Sequence, residues 1–292
     1  MPEFSIIIPT YNRKKFVSKT IDSALNQSEA SFEVIVIDDG STDGTKDLIG
    51  STYSDEVKYV FQNNKERGAA RNRGGTIAKG DYIYFLDSDD LLYPNHLAAA
   101  SDYLSSFVDK PEWFFQEYDI QDKDQKIAIS YNRSNPLQTL IEEGNFMSCH
   151  GVFLRRDVFL ANQFKEDRRL SGSEDYELWL RLAAQYELHI NPIVTSSLVQ
   201  HDDRSVFNFK SEPLIQRKKI LLESLKSNKA FMNKFGDRYR SIEENSYSYI
   251  ALHLMMSGYK SRALDYLWKS LKMSPRRAFS KRTLATIKFL LK

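Results

Sequence analysis

Apolar runs of four to seven residues alternate with amphipathic stretches over the first hundred positions. Ser5-Ile6-Ile7-Ile8-Pro9 predicts a short β-branched strand stopped by proline. From Lys15 to Gln27, Phe16, Ile21, Ala24 and Leu25 recur at helical spacing. Phe32 to Ile37 predicts a second buried strand, Val57 to Gln62 a third, and Tyr82-Ile83-Tyr84-Phe85-Leu86 a fourth. Between them, Ser41-Thr42-Asp43 is set to cap a helix carrying Leu48 and Ile49, and Ala69 to Ala78 predicts another helix, with Gly80 at its end. Alternation of this kind favours a parallel sheet with right-handed crossovers and binding loops at the strands' C-terminal ends.

The pattern then becomes mixed. Trp113 to Tyr118, Lys126 to Tyr131 and Gly151 to Leu154 predict strands, and Leu137 to Glu143 and Ser173 to Tyr186 predict helices. Glu187 to His201 holds one or two more strands. After about Ser205 the spacing is helical throughout: Pro213 to Phe235, Ile242 to Ser257 and Ser261 to Lys272, with Gly258 between the last two and Pro275 ending the third. We therefore expect a domain over 1–205 and a helical extension over 206–292. One stretch, Ala251 to Pro275, has the outline of a single helical-repeat hairpin, which is not an array.

The chain has 292 residues, enough for a large α/β domain with an appendage. A net charge of +2 argues against a general nucleic-acid binder. Cys149 is the single cysteine, so neither an intrachain disulfide nor a cysteine zinc cage can form. Met1-Pro2-Glu3-Phe4 leads into a strand without a basic region and apolar core, and no apolar run is long enough to cross a bilayer, so a cytoplasmic protein is the expectation.

Carboxylates stand where this architecture would gather its loops. Asp87-Ser88-Asp89-Asp90 directly follows an apolar strand, Asp38-Asp39 ends another, and Glu174-Asp175 opens an amphipathic helix. Carboxylates at a strand end suit a hard divalent cation, which in turn can hold a diphosphate. Each feature also has a plainer reading. Asp38-Asp39-Gly40 is a turn after a strand. Asp89 or Asp90 could cap a helix starting near Pro94. Glu174 and Asp175 could simply complement a helix dipole.

In series, these segments resemble a family 2 glycosyltransferase of the GT-A fold, a Rossmann-like, mostly parallel sheet flanked by helices. The resemblance covers roughly residues 4 to 205. It rests on Ser5-Ile6-Ile7-Ile8-Pro9-Thr10-Tyr11-Asn12, on Glu33 to Thr45 with Asp38-Asp39-Gly40-Ser41, on Arg67 to Gly74, on the Asp87-Ser88-Asp89 "DXD" motif and on Glu174-Asp175. It implies an inverting, metal-dependent transferase that takes a UDP-sugar to a saccharide or lipid-linked saccharide.

The implied roles follow residue by residue. Asp39 accepts the uracil ring N–H, and Pro9, Thr10 and Tyr11 approach the nucleoside, with Tyr11 on the base. Asn63 and Arg71 lie near the uridine and diphosphate, whereas Arg67 and Arg73 fit a solvated helix face. Asp87 bonds the ribose, with Ser88 between it and Asp89, and Asp89 binds Mn²⁺ or Mg²⁺ with His201 as second ligand. Arg204 and Ser205 stand near the phosphates. Asp175 is the general base, with Glu174 and His150 on the acceptor side. The chain departs from the family's usual Gly-Gly-Phe-like stretch: Asn162-Gln163-Phe164 stands there, which leaves the donor sugar open.

Two other readings stay open at this stage. A nucleotidyltransferase usually has a glycine-rich basic loop after its first strand, which Pro9-Thr10-Tyr11-Asn12 is not. A non-catalytic sugar-binding module would have little need of both Asp89 and Asp175. Lastly, Pro275 to Lys292 mixes Arg276, Arg277, Lys281, Arg282, Lys288 and Lys292 with Phe279, Leu284, Ile287 and Leu291. That composition suits either a helix lying on an anionic membrane surface, on its inner face, or an amphipathic helix packed on the core with its basic side solvated.

Overall fold

The computed structural model describes residues 1–123, 125–129, 131–201 and 211–291. In chain order its first elements are β1 (Phe4–Thr10), α1 (Val17–Leu25), β2 (Phe32–Asp38), α2 (Thr45–Thr52), β3 (Lys58–Phe61), α3 (Glu66–Ile77) and β4 (Tyr82–Phe85). Next come β5 (Leu91–Leu92), α4 (His96–Ser105), β6 (Trp113–Gln116), β7 (Asp119–Asp122), β8 (Gln125–Ala128), α5 (Pro136–Glu142), β9 (Val152–Arg155), α6 (Arg156–Ala161) and α7 (Glu174–Gln185). The remainder are β10 (His189–Asn191), β11 (Ser196–Gln200), α8 (Ser211–Ser227), α9 (Lys229–Phe235), α10 (Tyr239–Met256), α11 (Lys260–Met273) and α12 (Lys281–Leu290).

The chain divides into two compact units. One comprises Met1–Ser130, Met147–Arg168 and Tyr186–His201; the other comprises Tyr131–Phe146, Arg169–Gln185 and Asp202–Lys292. This division does not follow a single cut near residue 205. Helices α5 and α7 cluster with the C-terminal helices because their partners are there. Tyr176 Oη donates to Leu140 O at 2.7 Å, Lys234 Nζ to Ala183 O at 2.9 Å, and Ser224 Oγ to Glu177.

In the first unit a seven-stranded sheet runs β10-β6-β9-β4-β1-β2-β3, parallel except for β9. Every residue of β1 is buried, as expected of a central strand covered on both faces. Proline is unusual in such a strand, and the register explains it. Leu86 N donates to Ile7 O, after which β4 leaves β1, while β1 stays paired to β2 through Thr10↔Asp38. Residue 9 faces the same side as residue 7, so the N–H that Pro9 lacks would have met no ladder partner. The sheet's topological switch point lies between β1 and β4, the place where open α/β sheets bind their ligands.

Helix α3 lies flat on this sheet. A Cβ on Gly74 would come within 2.3 Å of Ile7 Cγ2, and one on Gly75 within 2.0 Å of the Phe159 ring. Gly74 therefore lets α3 approach the sheet, and Gly75 lets it approach α6. A four-stranded sheet, β5-β11-β7-β8, completes the unit. Neither β5 nor β7 is marked by an apolar run.

The second unit is helical. Leu178, Trp179 and Leu182 of α7 are fully buried, as their spacing predicts. The expected helix from Pro213 to Phe235 is two helices, because the Asn228 side chain accepts Phe231 N–H and starts α9 afresh. Helices α10 and α11 form the expected hairpin around Gly258, whose φ of 83° suits glycine.

Candidate active site

Aspartates stand at the C-terminal ends of both β2 and β4. At the end of β2, Asp38 is fully buried; its carboxylate accepts Ser41 N–H at 2.8 Å and the Tyr59 hydroxyl at 2.8 Å. Asp39 N donates to Thr10 O at 2.8 Å. Asp39 Oδ1 accepts from Gln62 Nε2 at 2.6 Å and from Lys65 N at 2.9 Å, at the opening turn of α3. Burial pushes this carboxyl up, and those same bonds pull against the rise. Asn12, at φ 52°, accepts Thr42 N–H at 2.8 Å and donates its own N–H to Ser41 Oγ at 2.9 Å. The loop after β1 and the turn after β2 are thereby laced together. Pro9 and Thr10 are buried, the Tyr11 ring is 48% exposed, and Asn63 is exposed.

The end of β4 is built differently. Asp87 Oδ1 lies 2.6 Å from Arg71 Nη2. Arg71 is not on a solvated face: it is buried, with its guanidinium 5.4 Å from the Phe164 ring centroid. Phe164 is itself pinned by Asn72, which accepts its N–H at 2.9 Å and donates to its carbonyl at 2.9 Å. Burial alone would raise Asp87, but Arg71 and then Arg67, one helical turn earlier, outweigh it and hold the carboxyl at about 2. Arg67 therefore also departs from the solvated reading, while Arg73 is exposed and bonds Phe61 O at 3.0 Å. Ser88 is buried.

Asp89 Oδ2 lies 3.0 Å from His201 Nε2 and 3.8 Å from Arg13 Nε. His201 stacks on Phe16 at 4.4 Å. Its position follows from Asp90, which is fully buried and whose Oδ1 accepts Val199 N–H at 3.0 Å, two residues before the histidine. Neither Asp89 nor Asp90 caps α4; Asn95 stands at that helix's start, and no side chain caps it. His150, expected on the acceptor side, is fully buried. Its Nδ1 lies 3.1 Å from Asp90 Oδ2 and 2.9 Å from Ser148 Oγ, so it braces the acidic loop from within. Arg13 carries no expectation from the sequence, and Phe16, Gln62, Arg67 and Phe164 are read there only as helix, strand, solvated and loop positions. The basic run Arg13-Lys14-Lys15 directly after the first loop was the one available signal.

The Asp89–His201 pair fits a divalent cation. Their facing oxygen and nitrogen, hydrogen-bonded to each other at 3.0 Å, are donor types that Mg²⁺ or Mn²⁺ accepts. Among the described residues no group of three or more His, Cys, Asp or Glu could hold a metal. Two protein donors leave positions for diphosphate oxygens and water, as Mg²⁺ prefers.

In the second unit, Asp175 sits in the first turn of α7, half-buried. It accepts from Asn145 Nδ2 at 3.1 Å and from Tyr176 N at 2.7 Å. Glu174 is buried and accepts Gly172 N–H. Arg204 and Ser205 lie outside the described residues.

Comparison with known proteins agrees with this geometry. The chain is 30% identical over 211 residues to a chondroitin synthase of Escherichia coli, covering 70% of this chain and 30% of the relative. It spans about a third of the length of most of the curated relatives it matches first. Its fold is that of S. aureus TarS 1-349 in complex with UDP-GlcNAc, with a TM-score of 0.61 at 15% identity over 94% of this chain and 92% of the other. The mannosyltransferase PcManGT from Pyrobaculum calidifontis, in complex with GDP-Man and Mn²⁺, matches with a TM-score of 0.57 at 19% identity over 99% and 85%. These are GT-A folds, and the mostly parallel sheet flanked by helices is the same architecture. The model of "Glycosyl transferase family 2" matches residues 5–160, and the chain belongs to that family.

Proposed function

We propose that this glycosyltransferase is metal-dependent and inverting, and moves a sugar from a UDP-sugar to a saccharide or lipid-linked saccharide during surface polysaccharide or glycan assembly. The observation that carries the reading is the Asp89–His201 pair, whose oxygen and nitrogen stand 3.0 Å apart beside an Asp87 kept charged by Arg71. The nucleotide sugars bound by TarS and PcManGT, and the Mn²⁺ of the latter, support it by analogy.

In this mechanism Asp39 accepts the uracil ring N–H, and the exposed Tyr11 ring stacks on the base. Asp87 accepts from the ribose hydroxyls, with Arg71 fixing its direction. Asp89 and His201 would hold Mg²⁺ or Mn²⁺, which when bound neutralises charge on the departing diphosphate. Asp175 takes the proton of the acceptor hydroxyl while its oxygen bonds the anomeric carbon. The carbon–oxygen bond to the β-phosphate breaks with its electron pair left on the diphosphate, and attack from the opposite face inverts the configuration. The alternative nucleotidyltransferase and binding-module readings lose ground to the family assignment. A panel of UDP-, dTDP- and GDP-sugars, read by released nucleoside diphosphate, tests this. Release should occur from a UDP-sugar and require Mn²⁺ or Mg²⁺. Asp175→Asn should lower it by about 10²–10⁴-fold while UDP still protects the variant against heat. Full turnover in Asp175→Asn would remove the base assignment.

The membrane belongs to the same proposal. No described helix is long and apolar enough to cross one. Helix α12, however, buries Thr283 and Thr286 and exposes Leu284, Ile287 and Leu291, with Arg276, Lys281 and Lys288 exposed around them. Trp268 and Phe279 are 68% and 86% exposed. Arg277 and Arg282 instead turn inward, to Glu244 and Asn245. This face suits peripheral contact with anionic lipid. Leu284→Ser with Ile287→Ser should reduce flotation with anionic vesicles, and unchanged flotation would reject the contact.

A further inference from the structure

Asp90 is the third aspartate after β4 and directly follows Asp89. It is fully buried, and each part of it is tied to a different segment. Its N–H donates to Asp87 O at 3.0 Å, closing the turn that carries Asp89. Its carbonyl accepts the Thr20 hydroxyl of α1 at 3.0 Å. Its Oδ1 accepts Val199 N–H of β11 at 3.0 Å, and its Oδ2 stands 3.1 Å from Nδ1 of the buried His150. His150 is a firm wall in turn: its carbonyl accepts the Tyr84 hydroxyl of β4, and its ring meets that of Tyr118 at 4.4 Å.

The same segments carry the Asp89–His201 pair, whose members are 112 positions apart. Asp89 precedes one end of the Asp90–Val199 bond, and His201 follows the other end by two residues. Helix α1 closes the frame. Phe16, at its start, stands one turn before Thr20 on the same side and stacks on the His201 ring at 4.4 Å and 24°. Burying a carboxylate costs free energy that an apolar side chain would not. What the carboxylate supplies is direction, through a hydrogen bond of fixed length to the strand that carries His201. Metal ligands need such direction, since Mg²⁺ demands near-ideal octahedral geometry.

We propose that Asp90 is a positioning residue for the cation: through Val199 N–H it sets the Asp89 and His201 donors against each other, while Phe16 fixes the plane of the His201 ring. The proposal rests on the reading of Asp89 and His201 as the metal pair. Asp90 is not itself a ligand, because its carboxylate oxygens are turned to Val199 and His150.

Mn²⁺ titrated into the full-length chain, with the free ion read by electron paramagnetic resonance, tests it. Asp90→Ala should bind Mn²⁺ about 10–100-fold more weakly than the wild type. Phe16→Leu, at a half-buried position, should weaken binding in the same direction. Asp90→Asn keeps an oxygen for Val199 N–H and should stay close to the wild type. UDP affinity without metal, measured by calorimetry, should be unchanged in both Asp90 variants. A merely structural brace would lower the melting temperature of Asp90→Ala and leave the Mn²⁺ affinity of the folded protein intact. That result, unchanged affinity in Phe16→Leu, or a loss in Asp90→Asn equal to that in Asp90→Ala would each overturn the proposal. A second readout needs no metal. Asp89 Oδ2 is an acceptor and favours the proton on His201 Nε2, so nitrogen NMR of the histidine-labelled chain should show one ring tautomer for His201 and a mixture in Asp90→Ala. An unchanged His201 signal would also overturn the proposal. If the wild type takes up no Mn²⁺ while Asp90→Ala still releases His201, the metal reading falls and the positioning role stands.

Discussion

The ends of β2 and β4 look alike in sequence, each an apolar strand running into adjacent aspartates, yet they are held by opposite chemistry. Asp38 and Asp39 are bonded by neutral donors: backbone N–H groups, a phenol and an amide. Asp87, Asp89 and Asp90 face arginines and histidines. A carboxylate held by neutral dipoles presents a directional acceptor and suits recognition of an N–H on a base. A carboxylate facing a cationic group, as Asp87 faces Arg71, is kept ionised, which suits a site where charge must be managed. The acidic pair alone does not separate these cases; the partner does.

The comparison can be broken most forcefully at Asp89. Asp89→Asn should cost on the order of 100-fold in Mn²⁺-dependent turnover, because it weakens one of the two proposed ligands, with little change in melting temperature. Metal-dependent protection of the protein by UDP should vanish with it. If turnover survived, the β4 end would be as structural as the β2 end.

Asp38→Ala should do the reverse. It strips the partners from Ser41 N–H and the Tyr59 hydroxyl and should destabilise the fold by about 1–3 kcal/mol, seen as a lower denaturant midpoint. Turnover per folded molecule should change much less than in Asp89→Asn.

The smallest effect is in pH, where the two ends should pull in opposite directions. Asp87 is held at about 2 in the fold against an ordinary 3.8. Its pairing with Arg71 therefore stabilises fully above the ordinary value and is lost as pH falls through about 2. Asp39 is raised by burial. Its ionised form therefore costs stability at neutral pH, and that cost disappears as pH falls through its folded value. Asp87→Asn should flatten acid unfolding, whereas Asp39→Asn should leave neutral-pH stability equal or slightly higher. Melting curves at several pH values check both signs, and parallel shifts would erase the distinction between the strand ends.

Much of the architecture was legible in the chain because its signals are local. The apolar runs of β1, β2 and β4 and the helical spacing of Leu178 and Leu182 appear where burial requires them. Strands β5 and β7 were not legible, since Leu91–Leu92 is too short to show a period and Asp119–Asp122 has Ile120 as its single apolar residue. The inward face of α12 was hidden too, because Thr283 and Thr286 fill it in place of leucines.

The sequence by itself determined the alternation of strands and helices, the family, and the carboxylates that stand at strand ends, since backbone preference and apolar period act over a few residues. Only the tertiary structure decided which partner each carboxylate has. Arg71 reaches Asp87 across 16 positions and His201 reaches Asp89 across 112. Strand order and register bring such groups together, and no short-range pattern encodes a pairing made between elements so far apart in the chain.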